Sequence, residues 1–492
     1  DALLRNAIVS EERGDHRKAS AHVREARAEA SRIAEGSLRE RAVADCAVAE
    51  GVVLLDDDPR RAAESLSAAI GFYRGSGLAA FLPNAYLQRA RAAMHAGDTD
   101  GARRDLESGI AELERQPLRF AGVVTASPVL GAGDALFDDA IRLSVTRGDA
   151  MSAFDYAERS RTVKPVAIEA LQQRLRGTTT AVLQLTTLPD EVIAFAVASD
   201  DRLLARAPLP RAHIAELEGA IDRGETAPLR EMFDLLIRPC ARIVDRATDL
   251  IIVADRRLQR VPFAALYDAQ RRLFLVERMS VALTPSASEL EAEGAAGSRS
   301  VLLVALPAGE ANVTQALPES VAEIDDVARL YTQSRRTTDG EATYSAVPAS
   351  RNVVVHIAGH TESRRRDDDA ALRFADGERA TWSRIAAGHL DRSAVVVLAA
   401  CNTLRASSLP HVRSLSLGAA FLAAGAGSVI GTLTPIGDAD AHELFLAIHK
   451  SLAAGASPAR AVRRAQLDAL ASGRLPAWQS IALMTRCISR TR

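Results

Sequence analysis

Two apolar runs in the sequence each end in a side chain that can take part in catalysis. Residues 353–360 read VVVHIAGH and residues 394–401 read AVVVLAAC, so the runs end at His360 and Cys401. Both runs are short, continuously apolar and rich in β-branched residues, which is typical of fully buried strands. If the strands are parallel neighbours, both side chains leave the sheet at its carboxyl edge, where open α/β sheets place their sites.

A thiol and an imidazole at one sheet edge favour nucleophilic catalysis. The thiolate is the attacking species, and an unperturbed thiol has a pKa of about 8.5. A neighbouring imidazole lowers that pKa and can pass the proton to a leaving amine. We therefore predict Cys401 as the nucleophile and His360 as the base. The backbone N–H of Cys401 is a candidate oxyanion donor, with a second donor from Gly359 or Thr361.

Two other interpretations of these side chains compete with the catalytic one. A single buried cysteine or histidine is more often a structural residue than a catalytic one. The other alternative is a zinc site of His356, His360 and Cys401. On a strand, however, two histidines four residues apart are about 13 Å apart, and the sequence has no HExxH glutamate. We therefore expect neither a metal nor a cofactor.

The composition is that of an ordinary globular protein. The 492 residues are 48% apolar and 25% charged with a net charge of −2, and about two to four domains are expected. The neutral balance and the 4% aromatic content disfavour nucleic-acid binding. No apolar run reaches the roughly 18 residues of a membrane span. The four cysteines are far apart, so a reducing cytoplasm is the expected location.

Residues 1 to about 175 follow a helical pattern with a repeated turn. Asp15, Asp58, Asp98 and Asp149 each follow a small or acidic residue and precede an alanine four residues later. Such an aspartate caps an incoming helix, and the alanine allows close packing of the helix pair. The spacings of 43, 40 and 51 residues exceed the ~34 of tetratricopeptide repeats, so the array is TPR-like. It either binds a protein partner or is only a scaffold.

The rest of the chain alternates apolar strands with helices, which predicts a mainly parallel sheet covered on both faces. A first α/β unit covers about 181–290 and has no candidate nucleophile–base pair. Cys240 in this unit is interpreted as a buried structural thiol. A polar stretch at 291–300 is the candidate linker to a second unit, which contains His360 and Cys401.

The segments around the two reactive side chains resemble the signatures of the CHAT family of caspase-like peptidases. Residues 356–361 (HIAGHT) are similar to its H-x-A-x-H-G motif, and residues 398–403 (LAACNT) to its L-S-A-C-x-T motif. Four further blocks are similar to segments of the family. Residues 158–161 resemble the end of the repeat array, and residues 256–266 resemble its L-x-x-(L/V)-P-F-A-A-L segment. Residues 275–278 with 284–288 resemble the strand after that segment, and residues 417–430 resemble the helix and strand after the nucleophile.

The resemblance implies a cysteine endopeptidase of the caspase and separase clan. By motif position, Cys401 is the nucleophile, His360 the base and His356 a structural strand histidine. The expected fold is a TPR-like helical array followed by a degenerate, non-catalytic caspase-like half and a catalytic half, at residues 1–177, 178–297 and 298–492. The alternative is a catalytically silent TPR–CHAT scaffold for protein–protein interaction.

Three positions depart from the family pattern, one of which is the absence of the aromatic residue usually found after the strand at 428–433, where this chain has Thr434 and Pro435. Thr361 replaces a glycine, which bears on the oxyanion geometry because a β-branched residue restricts the backbone. Ala399 replaces a serine at the position where an acidic residue in caspase-clan enzymes selects Arg or Lys before the cut. The resemblance therefore implies a small or apolar residue there. Asp438 and Asp440 are candidates to add acid to this pocket, although Asp438 is also a candidate N-cap of the following helix.

The remaining expectations concern partners. The charged run at 364–369 (RRRDDD) is either a solvated loop or a rim element that docks substrate. The resemblance implies a protein substrate, for example a gasdermin-like pore former in a bacterial defence setting. It also implies an activating or docking protein on the TPR-like surface.

Overall fold

The computed structural model describes residues 2–116, 128–292, 300–306, 318–337, 344–347, 353–359, 361–362, 370–374, 377–405, 416–473 and 476–489. The chain divides into two compact units, residues 1–163 and 164–492.

The first unit is helical, and consecutive helices pack in pairs. Its α-helices are α1 Ala2–Glu12, α2 His16–Ser31, α3 Gly36–Val53, α4 Pro59–Gly75, α5 Leu82–His95, α6 Thr99–Glu114, α7 Pro128–Thr146 and α8 Ala150–Arg159.

Each helix pair is joined by one of the expected aspartate turns. The carboxylates of Asp15, Asp58, Asp98 and Asp149 accept hydrogen bonds of 2.8 to 3.2 Å from the backbone N–H three residues later. The alanine four residues after each aspartate is fully buried. The capping prediction is therefore confirmed, because the side chain satisfies an N–H group that the first helical turn leaves without a partner. The assignment of these pairs to TPR repeats stays a prediction.

The second unit alternates strands and helices. Its α-helices are α9 Ile168–Arg174, α10 Arg211–Asp222, α11 Ala227–Met232, α12 Ala241–Val244, α13 Leu275–Arg278, α14 Pro318–Ala328, α15 Trp382–Ala386, α16 Leu417–Ala423, α17 Asp438–Ala453 and α18 Pro458–Ser472. Its strands are β1 Thr180–Thr187, β2 Val192–Val197, β3 Arg202–Ala207, β4 Asp249–Ala254, β5 Tyr267–Asp268, β6 Leu273–Phe274, β7 Ser280–Leu283, β8 Glu291–Ala292, β9 Ser300–Ala305, β10 Ser334–Thr337, β11 Val353–Ala358, β12 Thr361–Glu362, β13 Ala371–Arg373, β14 Arg379–Thr381, β15 Val395–Ala399, β16 Ser428–Thr432, β17 Ile481–Thr485 and β18 Cys487–Ile488.

Eleven of the described strands form a large central sheet in the order β10-β9-β11-β15-β16-β17-β7-β4-β1-β2-β3. Strands β9, β10, β11, β15 and β16 are parallel, and so are β1, β4 and β7. Strand β17 is antiparallel to β16 and parallel to β7, so the two parallel groups run in opposite directions. The mainly parallel sheet is thereby confirmed.

The two strand groups share one apolar core. Buried side chains of β1 and β4 join those of β9, β11 and β15 in a single continuous cluster. The groups meet where β7 pairs with β17, with Leu283 opposite Met484. The domain boundaries expected at residues 177 and 297 stay predictions.

Two local expectations have different outcomes. Residues 275–278, expected as part of a strand, form the short helix α13, and the strand here is β7 at Ser280–Leu283. That expectation was wrong because four apolar and charged residues carry no periodicity that separates one helical turn from a strand. Cys240 is fully buried, as expected for a structural thiol, and burial raises the pKa of the thiol to about 12.

Within the described part of the chain, none of the helices has both the length and the apolar character that crossing a membrane requires.

Candidate active site

The two apolar runs form adjacent parallel strands, as expected. Every residue of β11 and β15 is buried, and Ala358 lies opposite Ala399 in the register. The chain segments after the two strands therefore leave the sheet at the same edge. His360 lies outside the described residues, so its role stays a prediction.

The residues on each side of position 360 contact the strand that carries the cysteine. The Gly359 N–H donates a hydrogen bond of 3.2 Å to the carbonyl of Ala399. The Thr361 hydroxyl donates one of 2.7 Å to the carbonyl of Cys401. Glycine is needed at position 359 because of a different neighbour: a Cβ there would lie 2.6 Å from the Cβ of Leu306, the residue after β9, and the φ of Gly359 is +155°. Thr361, expected as a candidate oxyanion donor and as a departure from the motif glycine, thus also provides a side-chain contact to the nucleophile strand.

The backbone turns sharply immediately after Cys401. Asn402 has a φ of 57°, a left-handed conformation that asparagine tolerates better than most side chains. The turn is held to β16 from inside: the Leu404 N–H donates to the Thr432 carbonyl at 2.9 Å, and the Thr432 N–H donates to the Thr403 hydroxyl at 3.0 Å. Together with the hydrogen bonds from Gly359 to Ala399 and from Thr361 to Cys401, these bonds fix the backbone before and after the cysteine side chain.

The Cys401 side chain is partly exposed and faces the segment between β16 and α17. Its Sγ lies 4.0 Å from the carbonyl oxygen of Ile436. Helix α17 begins two residues later at Asp438, and its N-cap is Gly437. The interpretation of Asp438 as the N-cap was therefore wrong. Asp438 and Asp440 both lie in the first turn, where the helix dipole stabilises carboxylates.

A buried polar cluster that the sequence interpretation missed lies beside β11. The His356 Nδ1 is 3.0 Å from the His449 Nε2, and the His449 Nδ1 is 2.9 Å from the Tyr331 hydroxyl. The His356 Nε2 is 3.3 Å from a carboxyl oxygen of Glu323, although neither atom has a well-aligned hydrogen-bond partner among the described residues. All four side chains are buried, which confirms His356 as a buried strand histidine.

Burial decides the charge of this cluster. It lowers the pKa of His356 to about 3 and, together with repulsion from His356, holds the pKa of His449 well below its usual value. Burial raises the pKa of Glu323 to about 8, and the charge of Asp438 adds to that rise. At neutral pH the imidazoles and most of the carboxyl population are uncharged, which avoids the cost of buried charge.

A sequence signal for this cluster exists in the helical periodicity. His449 lies four residues after Phe445 and three before Leu452, and all three are buried on α17. Glu323 similarly lies four residues before the buried Val327 of α14. A polar residue at an apolar helical position indicates a buried polar contact, but it does not identify the partner.

Two further expectations concern the charged run after position 360 and a metal site. The charged run at 364–369 lies outside the described residues. Within the described residues, no group of three or more His, Cys, Asp or Glu side chains is arranged to hold a metal ion.

The Thr361 hydroxyl provides the first testable prediction. Thr361→Val keeps the shape of the side chain and removes the donor, and one lost hydrogen bond costs about 1 kcal/mol. We expect the free energy of unfolding in urea to fall by about that amount and amide hydrogen exchange at residues 401–404 to become faster. Thr361→Ser, which keeps the hydroxyl, is the matched control. Unchanged exchange in the valine variant would mean that this bond does not hold the turn.

The buried carboxyl provides the second prediction. The pKa of Glu323 is about 8 in the folded chain and about 4.3 when unfolded. Its contribution to stability is therefore complete below about pH 4 and is lost as the pH rises through 8. We expect the free energy of unfolding of Glu323→Gln, relative to the unmodified protein, to increase from pH 5 to pH 9.

Urea unfolding at several pH values measures this difference. The depressed pKa of His356 acts in the opposite direction, because its contribution is present above about pH 6.5 and lost as the pH falls. It is common to both proteins and cancels in the comparison. Glu323→Ala separates packing from charge, since it should be less stable than the glutamine variant at every pH but follow the same trend. A difference independent of pH would contradict the raised pKa.

Comparison with protein families matches residues 226–484 to the CHAT domain. Comparison with curated protein sequences gives no match. Among solved structures, two chains from crystal structures of the Saccharomyces cerevisiae separase–securin complex are similar, each with a TM-score of 0.49, at 8% and 9% sequence identity. The similarity covers 99% of this chain, which spans about half of those chains, 50% and 49%.

The CHAT match is the finding that assigns the family. It extends over more than half of the 492 residues and includes β11, β15 and the turn at Cys401. The chain therefore belongs to the CHAT domain family.

Proposed function

We propose that the chain is a cysteine endopeptidase that uses Cys401 as nucleophile and His360 as base. CHAT domains are related to caspase-like proteases, and some are inactive. The observation that carries the proposal is the register of β11 with β15, which brings Gly359 and Thr361 into hydrogen-bond contact with Ala399 and Cys401. These contacts on both sides of position 360 support the proposal that a base at this position acts on the partly exposed thiol of Cys401.

The proposed reaction proceeds in two steps. The Cys401 thiolate attacks the carbonyl of the scissile peptide bond, and the developing oxyanion is held by the backbone N–H groups of Cys401 and Thr361. The His360 imidazolium gives its proton to the leaving amine, which leaves a thioester on Cys401. Water, deprotonated by His360, then hydrolyses the thioester and releases the acid and the thiol.

Ala399 is the residue proposed to line the pocket for the side chain before the cut. It is 8% exposed and carries no charge, which supports selection of a small or apolar residue. Asp438 remains a candidate to add acid to the pocket. Its position in the first turn of α17, two residues after the segment that contacts Cys401, is compatible with that role.

The helical unit is proposed to dock a protein, either a regulator or the substrate. The large hydrophobic side chains that are well exposed among the described residues all lie in residues 1–163: Val9, Leu38, Val43, Phe81 and Val163. Single exposed apolar side chains are normal on a protein surface, so the docking role rests on the likeness of the capped helix pairs to repeat arrays that bind proteins or peptides. A gasdermin-like substrate, a bacterial defence setting, direct regulation by a partner and a cytoplasmic location are part of the same proposal.

The central test compares cells that produce the unmodified chain with cells that produce Cys401→Ala. We expect new protein termini only with the unmodified chain, and a loss of roughly a thousandfold or more in cleavage of the identified substrate, because the nucleophile is removed. His360→Ala should have the same effect. Cys487→Ala removes the other partly exposed thiol and is the matched control.

The alternative function is a silent scaffold, which is favoured by the replacement of the motif glycine by Thr361. A scaffold would retain its binding partners in the Cys401→Ala variant and would generate no new termini in either case. Equal sets of termini from both proteins would therefore contradict the peptidase proposal.

Pocket selectivity is tested with a panel of fluorogenic peptides that differ in the residue before the cut. We expect a preference for small or apolar residues, and a gain of about tenfold or more for Arg and Lys in Ala399→Asp, because a carboxylate attracts a cation in a poorly solvated pocket. Ala399→Asn matches the size of the new side chain without its charge. A strong preference of the unmodified protein for Arg or Lys would contradict the uncharged pocket.

A further inference from the structure

A cluster of four charged side chains connects the turn after Cys401 to the first α/β segment of the unit. Arg405 is four residues after the cysteine, and its Nη2 lies 3.9 Å from the Asp222 carboxylate on α10. Arg260, in the loop after β4, pairs with the same Asp222 oxygen and lies 3.8 Å from the carboxylate of Glu218, one turn earlier on α10. Two arginines from different parts of the chain therefore share two carboxylates of one helix.

The cluster is well placed to act on the nucleophile turn. The Arg405 N–H donates a hydrogen bond of 3.2 Å to the carbonyl of Asn402, so Arg405 closes the turn that begins directly after Cys401. The inner side of the turn is held by β16 through Thr403 and Leu404. Asp222 holds the outer side through the guanidinium. The turn is thus restrained from both sides by elements that are distant in sequence.

We propose that Glu218 and Asp222 of α10 are positioning residues that hold the Cys401 turn through Arg405, and that ionisation of Glu218 strengthens this hold. The proposal deepens the peptidase function proposed above and rests on it only for its consequence on turnover. It adds regulation of the nucleophile by α10, which lies in the α/β segment proposed to be non-catalytic.

The charge balance of the cluster explains the direction of the effect. The charged groups that act on Glu218 are Arg260, Asp222 and Arg405. When Glu218 is neutral, Asp222 is the one carboxylate that pairs with both arginines among the described residues, and the cluster has a net charge of about +1. When Glu218 is ionised, it attracts Arg260, and Asp222 is left to hold Arg405 more firmly.

Glu218 is suited to change its charge near neutral pH. Its side chain is 11% exposed, and one of its carboxyl oxygens is buried without a hydrogen-bond partner among the described residues. Burial raises its pKa to about 7, repulsion from Asp222 acts in the same direction, and the two arginines oppose the rise. Because ionisation is disfavoured only moderately, a small change in pH alters the number of carboxylates available to the arginines.

The experiment measures the alkylation rate of each cysteine by iodoacetamide in the full chain, by mass spectrometry. We expect Arg405→Met and Asp222→Asn each to raise the rate at Cys401 about two- to fivefold, because the pair is partly exposed and such pairs are individually weak. The double variant should show no more than either single variant if the two residues act as a pair. Arg246→Met, which breaks the exposed pairs with Asp200 and Asp201, is the matched control and should leave the rate unchanged.

The pH dependence separates this role from a merely structural one. We compare the unmodified protein with Glu218→Gln from pH 5.5 to pH 8.5, and use the ratio of their Cys401 alkylation rates so that the titration of the thiol itself cancels. The ratio should be close to one at low pH, and the glutamine variant should react about two- to fivefold faster above pH 8. The change should be centred near pH 7.

The possible outcomes are distinct. Equal Cys401 rates in the Arg405→Met, Asp222→Asn and unmodified proteins, or a ratio for Glu218→Gln independent of pH, would overturn the proposal even if the protein cleaves peptides. A rise at Cys487, Cys46 and Cys240 together with Cys401 would mean general loosening, and would also overturn it. A selective rise at Cys401 supports the proposal even if no peptidase activity is found, so its failure and that of the peptidase function are distinguishable.

Discussion

The parallel pairing of β11 with β15 is the constraint on which the site depends. Each residue of both strands is buried, so a slip of one position would turn every side chain to the opposite face of the sheet. The register that places Ala358 opposite Ala399 therefore also sets the position of the segment after each strand. It brings Thr361 within hydrogen-bonding distance of the Cys401 carbonyl. On the other side of β11, the pairing with β9 places Leu306 too close to position 359 for a Cβ, so glycine is required there.

Polar groups buried beside this apolar sheet are arranged to avoid isolated charge. His356 lies in the middle of a fully buried strand, a position that would be costly if its ring nitrogens had no polar neighbours. His449 and Glu323 provide those neighbours, and Tyr331 extends the chain of contacts. Burial shifts the pKa of both histidines and of Glu323 towards the neutral form, so the cluster links α14 and α17 to β11 without a buried ion pair.

The parallel strands β1, β4 and β7, here called the first strand group, do more than complete the apolar core. This group runs opposite to the group that carries Cys401, and joins it through β7 and β17 in one sheet. Helix α10 of this first group contacts the turn after Cys401 through Asp222 and Arg405. The strand group without a candidate nucleophile–base pair is therefore in contact with the turn that follows the thiol.

The sequence by itself determined those features that depend on neighbouring residues. The buried strands at 353–358 and 395–399 follow from continuous apolar runs, and the helix starts after Asp15, Asp58 and Asp98 follow from a cap and its helix being adjacent in the chain. Tertiary structure alone decided the partners of the polar groups. Tyr331 and His449 are 118 residues apart, and Thr361 and Cys401 are 40 apart, so no local pattern specifies these pairs. Which groups meet is decided by the order of strands in the sheet, because burial allows polar side chains only where the fold brings them a partner.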